Sequence, residues 1–98
     1  MDTLTLDEIR QKVSCLAEQY GAERVYLFGS YARGDMTDSS DIDLRIDRGR
    51  VRGLQFAHLL SDLQDALHTD VDLISTAGMD EDFRREIAPE EVLLYEAS

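Results

Sequence analysis

The sequence predicts an α/β (α+β) domain: a small mixed β-sheet with helices packed on one face. Three observations carry that prediction. Two long segments place apolar residues on one helical face, and one short segment alternates apolar and polar residues strictly. Two further short runs are rich in β-branched and aromatic residues. The connections between these segments then sort the strand pairings, because a short link forces antiparallel neighbours and a helical link permits parallel ones.

The first helix runs from Leu6 to Tyr20, with Leu6, Ile9, Val13, Leu16, Ala17 and Tyr20 on one stripe. Thr5 followed by Glu8 is a capping-box signature, and Gly21 supplies the stop. Arg24-Val25-Tyr26-Leu27-Phe28 reads as a buried strand that ends at Gly29. From Asp41 to Asp47 the apolar Ile42, Leu44 and Ile46 alternate with Asp41, Asp43, Arg45 and Asp47. One face of that strand belongs to the core, and the other carries the charges.

After the polar turn Arg48-Gly49-Arg50, the pattern predicts a long helix from Val51 to His68. Leu54, Ala57, Leu60, Leu63 and Leu67 form its expected stripe. Val71 to Ile74 is a short strand, Met79 to Ile87 a last helix stopped by Pro89, and Val92 to Tyr95 a candidate edge strand. About ten residues separate the first two strands, too few for a crossover helix, so they pair antiparallel. The long helix joins the next two as a right-handed parallel crossover. The charged face of the central strand is expected to stay open.

Composition narrows the function. A chain of 98 residues supports one modest core, and residues 1–98 read as a single domain. Its 21 acidic residues against 10 basic ones give a net charge of −11. That balance argues against general nucleic-acid binding, which depends on neutralising phosphates. Acidic excess suits bound cations or a basic protein partner. No apolar stretch approaches a membrane span, and the first residues lack a signal-peptide pattern. The lone Cys15 suits a reducing compartment, so a soluble cytoplasmic protein is expected.

The chemistry gathers on the charged strand face. Asp41 and Asp43 project from the same side, with Cα atoms roughly 6.5–7 Å apart. Asp72, flanked by Val71 and Leu73, points away from the core of the next strand. If those strands are parallel neighbours, three carboxylates meet on one patch and call for a compensating cation. Hard oxygen ligands suit Mg²⁺ or Mn²⁺, and no Cys–His set competes. Upstream, Gly29 permits a tight turn and close backbone approach. Ser30 is read as the N-cap of a short helical turn over Tyr31 to Arg33, whose free N–H groups would face an anion such as phosphate.

Gly29-Ser30, the intervening loop and Asp41-Ile42-Asp43 together resemble the signature of the nucleotidyltransferase superfamily that includes DNA polymerase β. The fuller stretch from Gly29 to Gly34 and Ser40-Asp41-Ile42-Asp43-Leu44, with Asp72 and the closing Leu94-Tyr95-Glu96, resembles its minimal nucleotidyltransferase branch. Many members of that branch are antitoxins of HEPN–MNT toxin–antitoxin pairs. The resemblance implies the nucleotidyltransferase fold and ATP as substrate. It also implies two Mg²⁺ ions, Asp41 and Asp43 as ligands to both, and Asp72 completing the site of the catalytic one. Ser30 and the Gly29 backbone would hold the β- and γ-phosphates, and Arg33 is a further candidate for phosphate binding. The acceptor implied is a hydroxyl of the HEPN toxin, a tyrosine, which would receive AMP. The chain length leaves no room for the acceptor-presenting domain of larger transferases, so a partner is expected to present it.

Other readings stand beside this one. The domain is also compatible with an antitoxin that neutralises its partner by binding alone, or with an aminoglycoside-type transferase. Arg33 is either a phosphate ligand or a structural ion pair. Asp47 continues the carboxylate face but lies beyond the expected metals. Among Arg45, Arg48, Arg50 and Arg52, Arg45 is the best candidate to guide a nucleotide, because it shares that face. Tyr31 is a candidate pocket residue, whereas Cys15, His58 and His68 read as structural.

Overall fold

Alternation along one strand organises the molecule. In the computed structural model, which describes residues 4–98, the strand β2 (Ile42–Asp47) buries Ile42, Leu44 and Ile46 completely on one face. Its neighbours are β1 (Arg24–Phe28), antiparallel, and β3 (Val71–Ser75), parallel. A fourth strand, β4 (Val92–Glu96), pairs antiparallel with the far edge of β1, giving the order β3-β2-β1-β4. The expected edge strand is therefore present, and the pairing inferred from link length holds.

The two long helices cover the apolar face. α1 (Leu6–Tyr20) starts at the reciprocal Thr5–Glu8 capping box and stops at Gly21. It inserts Ile9, Val13 and Ala17 into the core. α3 (Leu54–Leu67) contributes Leu59, Leu63 and Leu67. Polar bonds between and beyond these helices fix their positions. The Tyr20 hydroxyl donates to Asp62, Lys12 Nζ donates to the Ala66 carbonyl at 2.9 Å, and Ser14 donates to the Leu94 carbonyl at 3.0 Å.

Four expectations are corrected. α3 begins at Leu54 and not at Val51, because Gly53 takes a positive φ of 56° that no helix continues. Val51 is instead fully buried in the preceding turn. The buried stripe is Leu59, Leu63 and Leu67, so Leu54 lies 78% exposed and Ala57 is exposed. Leu54 is five residues before Leu59, roughly 140° around the helix.

The last helix, α4 (Glu81–Ile87), begins after Asp80, whose side chain accepts from the Phe83 N–H at 3.2 Å. An Asp cap therefore sets the start two residues beyond Met79. Finally, the charged face is not left open along its length. Phe83 packs edge-on against Phe28 at 5.9 Å, and Arg45 is only 4% exposed. No helix among the described residues is long and apolar enough to cross a membrane.

Candidate active site

The alternation that buries Ile42 and Leu44 turns Asp43 to the opposite face. There it stands beside two neighbours: Phe28 on β1 and Asp72 on β3. Parallel strands lie about 4.8 Å apart, so Asp43 and Asp72 are adjacent carboxylates. Asp41, one residue before β2 and two before Asp43, lies on the same side. Asp41 and Asp72 are exposed, whereas Asp43 is half-buried. Burial, with the charges of Asp72 and Asp41 added, pushes the Asp43 carboxyl up from the usual 3.8 to about 6. Arg33 opposes that rise and Glu90 adds to it.

These carboxylates share a face without sharing a coordination sphere. Among the described residues, no three His, Cys, Asp or Glu side chains are gathered closely enough to hold one ion. Like charges at neighbouring positions repel, and a countercharge would favour drawing them together. Their donor chemistry fits a hard divalent cation: carboxylate oxygens, one of them already disfavoured as an uncompensated anion.

Gly29 makes the tight turn and the close backbone approach expected of it, and the structure shows what approaches. It sits at φ 78°, and a Cβ there would lie 2.1 Å from Asp43 Oδ2. The close approach that demands glycine is that of the Asp43 carboxylate to the Gly29 backbone. The Gly29 N–H is also engaged, donating to Glu90 Oε2 at 2.6 Å.

Ser30 is not the N-cap. It is the first residue of the short helix α2 (Ser30–Arg33), and Gly29 occupies the cap because its backbone is the non-helical one. The Ala32 and Arg33 amides donate to the Gly29 carbonyl, so the turn closes largely on itself.

Arg33 takes the ion-pair arrangement, donating from Nε to Asp35 at 3.2 Å and from one terminal nitrogen to both Glu90 oxygens at 3.2 Å. Its guanidinium remains beside the Gly29-Ser30 turn and within electrostatic reach of Asp43. Tyr31 packs partly against the core.

Arg45, the best of the arginine candidates, is taken up by the chain's own groups. Glu91 accepts from its Nε and a second nitrogen, Thr76 Oγ1 accepts from the third at 2.9 Å, and its guanidinium lies 4.0 Å over the Tyr26 ring. Asp47 is drawn into the same group, 3.6 Å from Arg45 and 3.4 Å from Arg24. Glu90 and Glu91 were not legible as site residues. The signal that finds them is the β1–β4 pairing, which sets the residues before Val92 beside those after Leu27.

The family description "Polymerase beta, Nucleotidyltransferase" matches residues 11–98. The protein adenylyltransferase MntA of Thermococcus cleftensis is 32% identical over 84 residues, 81% of this chain and 85% of its own. A solved minimal nucleotidyltransferase superimposes with a TM-score of 0.80 at 31% identity, covering 94% of this chain and 98% of that one. A complex of tri-AMPylated Shewanella oneidensis HEPN toxin with its MNT antitoxin shares the fold. Its TM-score is 0.71 at 21% identity, covering 93% of this chain and 72% of that one. With residues 11–98 matched by that family description and a relative 32% identical over 81% of the chain, the chain belongs to the polymerase beta nucleotidyltransferase family.

Proposed function

We propose that this chain transfers AMP from ATP to a hydroxyl, a tyrosine hydroxyl, of a partner HEPN toxin and so acts as its antitoxin in the cytoplasm. The observation that carries this reading is the placement of Asp43 and Asp72 abreast, with Asp41 on the same face, beside the Gly29-Ser30 turn. The name of the MntA relative and the AMPylated toxin in the structurally similar complex support the reaction type and the partner.

Asp41, Asp43 and Asp72 would hold two Mg²⁺ ions, with Mn²⁺ accepted. Such ions supply charge neutralisation of a triphosphate and of the oxygens entering and leaving phosphorus. The chain's own residues do the rest. Gly29, lacking a side chain, lets Asp43 lie against the turn that receives the phosphates. The Ser30 hydroxyl donates to a phosphate oxygen, and Arg33 turns its guanidinium to the same group. Asp72 accepts a hydrogen bond from the acceptor hydroxyl and orients it toward the α-phosphorus. The hydroxyl proton passes to the Asp72 carboxylate, the new bond joins that oxygen to phosphorus, the bond to the β-phosphate oxygen breaks, and pyrophosphate leaves.

A second reading has its own observation. The net charge of −11 would complement a basic toxin, and neutralisation would then need only binding. Intact mass of the co-expressed partner separates the two. The transferase reading expects increments of whole AMP units with the wild type and none with Asp41→Ala/Asp43→Ala. A partner that stays unmodified yet bound and inhibited would make this a binding antitoxin.

A further inference from the structure

Glu90 lies outside the three-carboxylate motif, sixty-odd residues from the turn it touches, and its neighbours give it a defined task. β1 and β4 stop pairing at Leu27 and Val92, leaving the Gly29 amide beyond the end of the ladder. The Glu90 side chain supplies the missing acceptor at 2.6 Å. Both of its oxygens also accept from one Arg33 terminal nitrogen at 3.2 Å. One carboxylate thus joins the residue before Ser30 to the residue that closes the same helical turn.

The mount of this carboxylate is rigid. Glu90 ends a 3₁₀ turn, Ala88–Glu90, that begins β4's approach to the sheet. The next residue, Glu91, is held by the buried Arg45 through two hydrogen bonds. Two adjacent glutamates therefore point to different tasks: Glu91 anchors the turn to the sheet, and Glu90 reaches the Gly29-Ser30 turn. A carboxylate placed only for solubility would have neither partner nor mount.

We propose that Glu90 is a positioning residue for the nucleotide: it sets the Gly29 backbone and the Arg33 guanidinium in the geometry that receives the triphosphate. This rests on the reading in which Ser30 and Arg33 contact phosphate. Glu90 itself touches no reacting atom. Its removal should weaken ATP capture more than it slows the chemical step, because the three aspartates stay in place.

The test is steady-state transfer to the co-purified partner with Glu90→Ala and Glu90→Gln, each also in an Arg33→Ala background. Glu90→Ala is expected to raise KM for ATP about tenfold with kcat within about threefold of wild type, the loss of one charge-assisted contact. Glu90→Gln, which keeps an acceptor for the Gly29 amide, is expected to recover most of that loss. In the Arg33→Ala background the further effect of Glu90→Ala should shrink, because both act through one contact.

An unchanged KM, a lowered KM, or an equal loss with and without Arg33 overturns the proposal. A lowered KM would mean that Glu90 competes with phosphate. If Glu90→Ala does not fold, Glu90→Asp replaces it, since the shorter carboxylate cannot span both donors; the same KM rise is expected, and no rise overturns the proposal. If the wild type neither binds ATP nor modifies the partner, the transferase reading fails by itself. Amide exchange then decides on Glu90: the Gly29 N–H must exchange at least about tenfold faster in the alanine variant, and an unchanged rate rejects its role.

Discussion

The charged face of β2 has two ends, and they handle charge in opposite ways. At the Arg45 end the countercharges come from the chain itself. Glu91 and Thr76 satisfy the guanidinium, Tyr26 lies under it, and Asp47 stands by. At the Asp43 end, one residue pair away on the same strand, carboxylate stands beside carboxylate, and the nearest cation, Arg33, is divided between Asp35 and Glu90. Compensated charge fastens the last turn and β4 to the sheet. Uncompensated charge makes the half-buried Asp43 a poor anion by itself and a good one beside a cation. Both ends lie on one alternating charged face, and they differ in what the fold brings to them.

The sharpest way to break this comparison is to neutralise one charge at each end. Asp43→Asn should lower single-turnover AMP transfer by a factor on the order of 10²–10³ and leave the fold intact. Full activity in that variant would mean that the carboxylate is not part of the chemistry. Arg45→Ala should do the reverse, destabilising the protein by about 3 kcal/mol in a urea titration, because it strands the Glu91 side chain, which is only 9% exposed. The double variant Arg45→Ala/Glu91→Ala should recover part of that loss. Equal destabilisation in both would mean that packing over Tyr26, and not the ion pair, holds the turn.

A smaller effect follows from acidity. The Asp43 carboxyl is pushed up to about 6 from 3.8, so the folded chain binds its proton more tightly than the unfolded chain does. The stability this confers is complete below about pH 4 and is lost as pH rises through 6. Metal-free protein should therefore lose on the order of 1–2 kcal/mol between pH 4 and pH 7 from this group. Asp43→Asn should flatten that component and be the more stable protein at neutral pH. A steeper fall in the variant would place the sensitivity elsewhere. The smallest effect is expected for Asp47→Asn, where Arg45 keeps Glu91 and Arg24 keeps Glu96. Its cost should be under about 1 kcal/mol by thermal unfolding.

Much of this was readable because local rules govern it. Strict alternation from Ile42 to Ile46 set one face of β2 against the other, and the Thr5–Glu8 box set the start of α1. The Gly29-Ser30 and Asp41-Ile42-Asp43 spacing pointed to the family that the match over residues 11–98 shows. The first turn of the long helix departs from expectation because its leucines admit more than one stripe, and only the packing against α1 and β3 selects Leu59, Leu63 and Leu67.

What the sequence by itself determined is the period-two strand, the adjacent parallel strand carrying Asp72, and the carboxylates whose oxygens suit a hard cation. Those depend on neighbours within a few residues and on the length of one connection. Only the tertiary structure decided that Arg45 is a clamp and that Gly29 makes room for Asp43. It also decided that Glu90 reaches back to the Gly29 amide. Each of these is a contact between residues far apart in the chain, fixed by the pairing of β1 with β2 and β4. No local pattern encodes which of two like charges will find a partner once the strands are laid side by side.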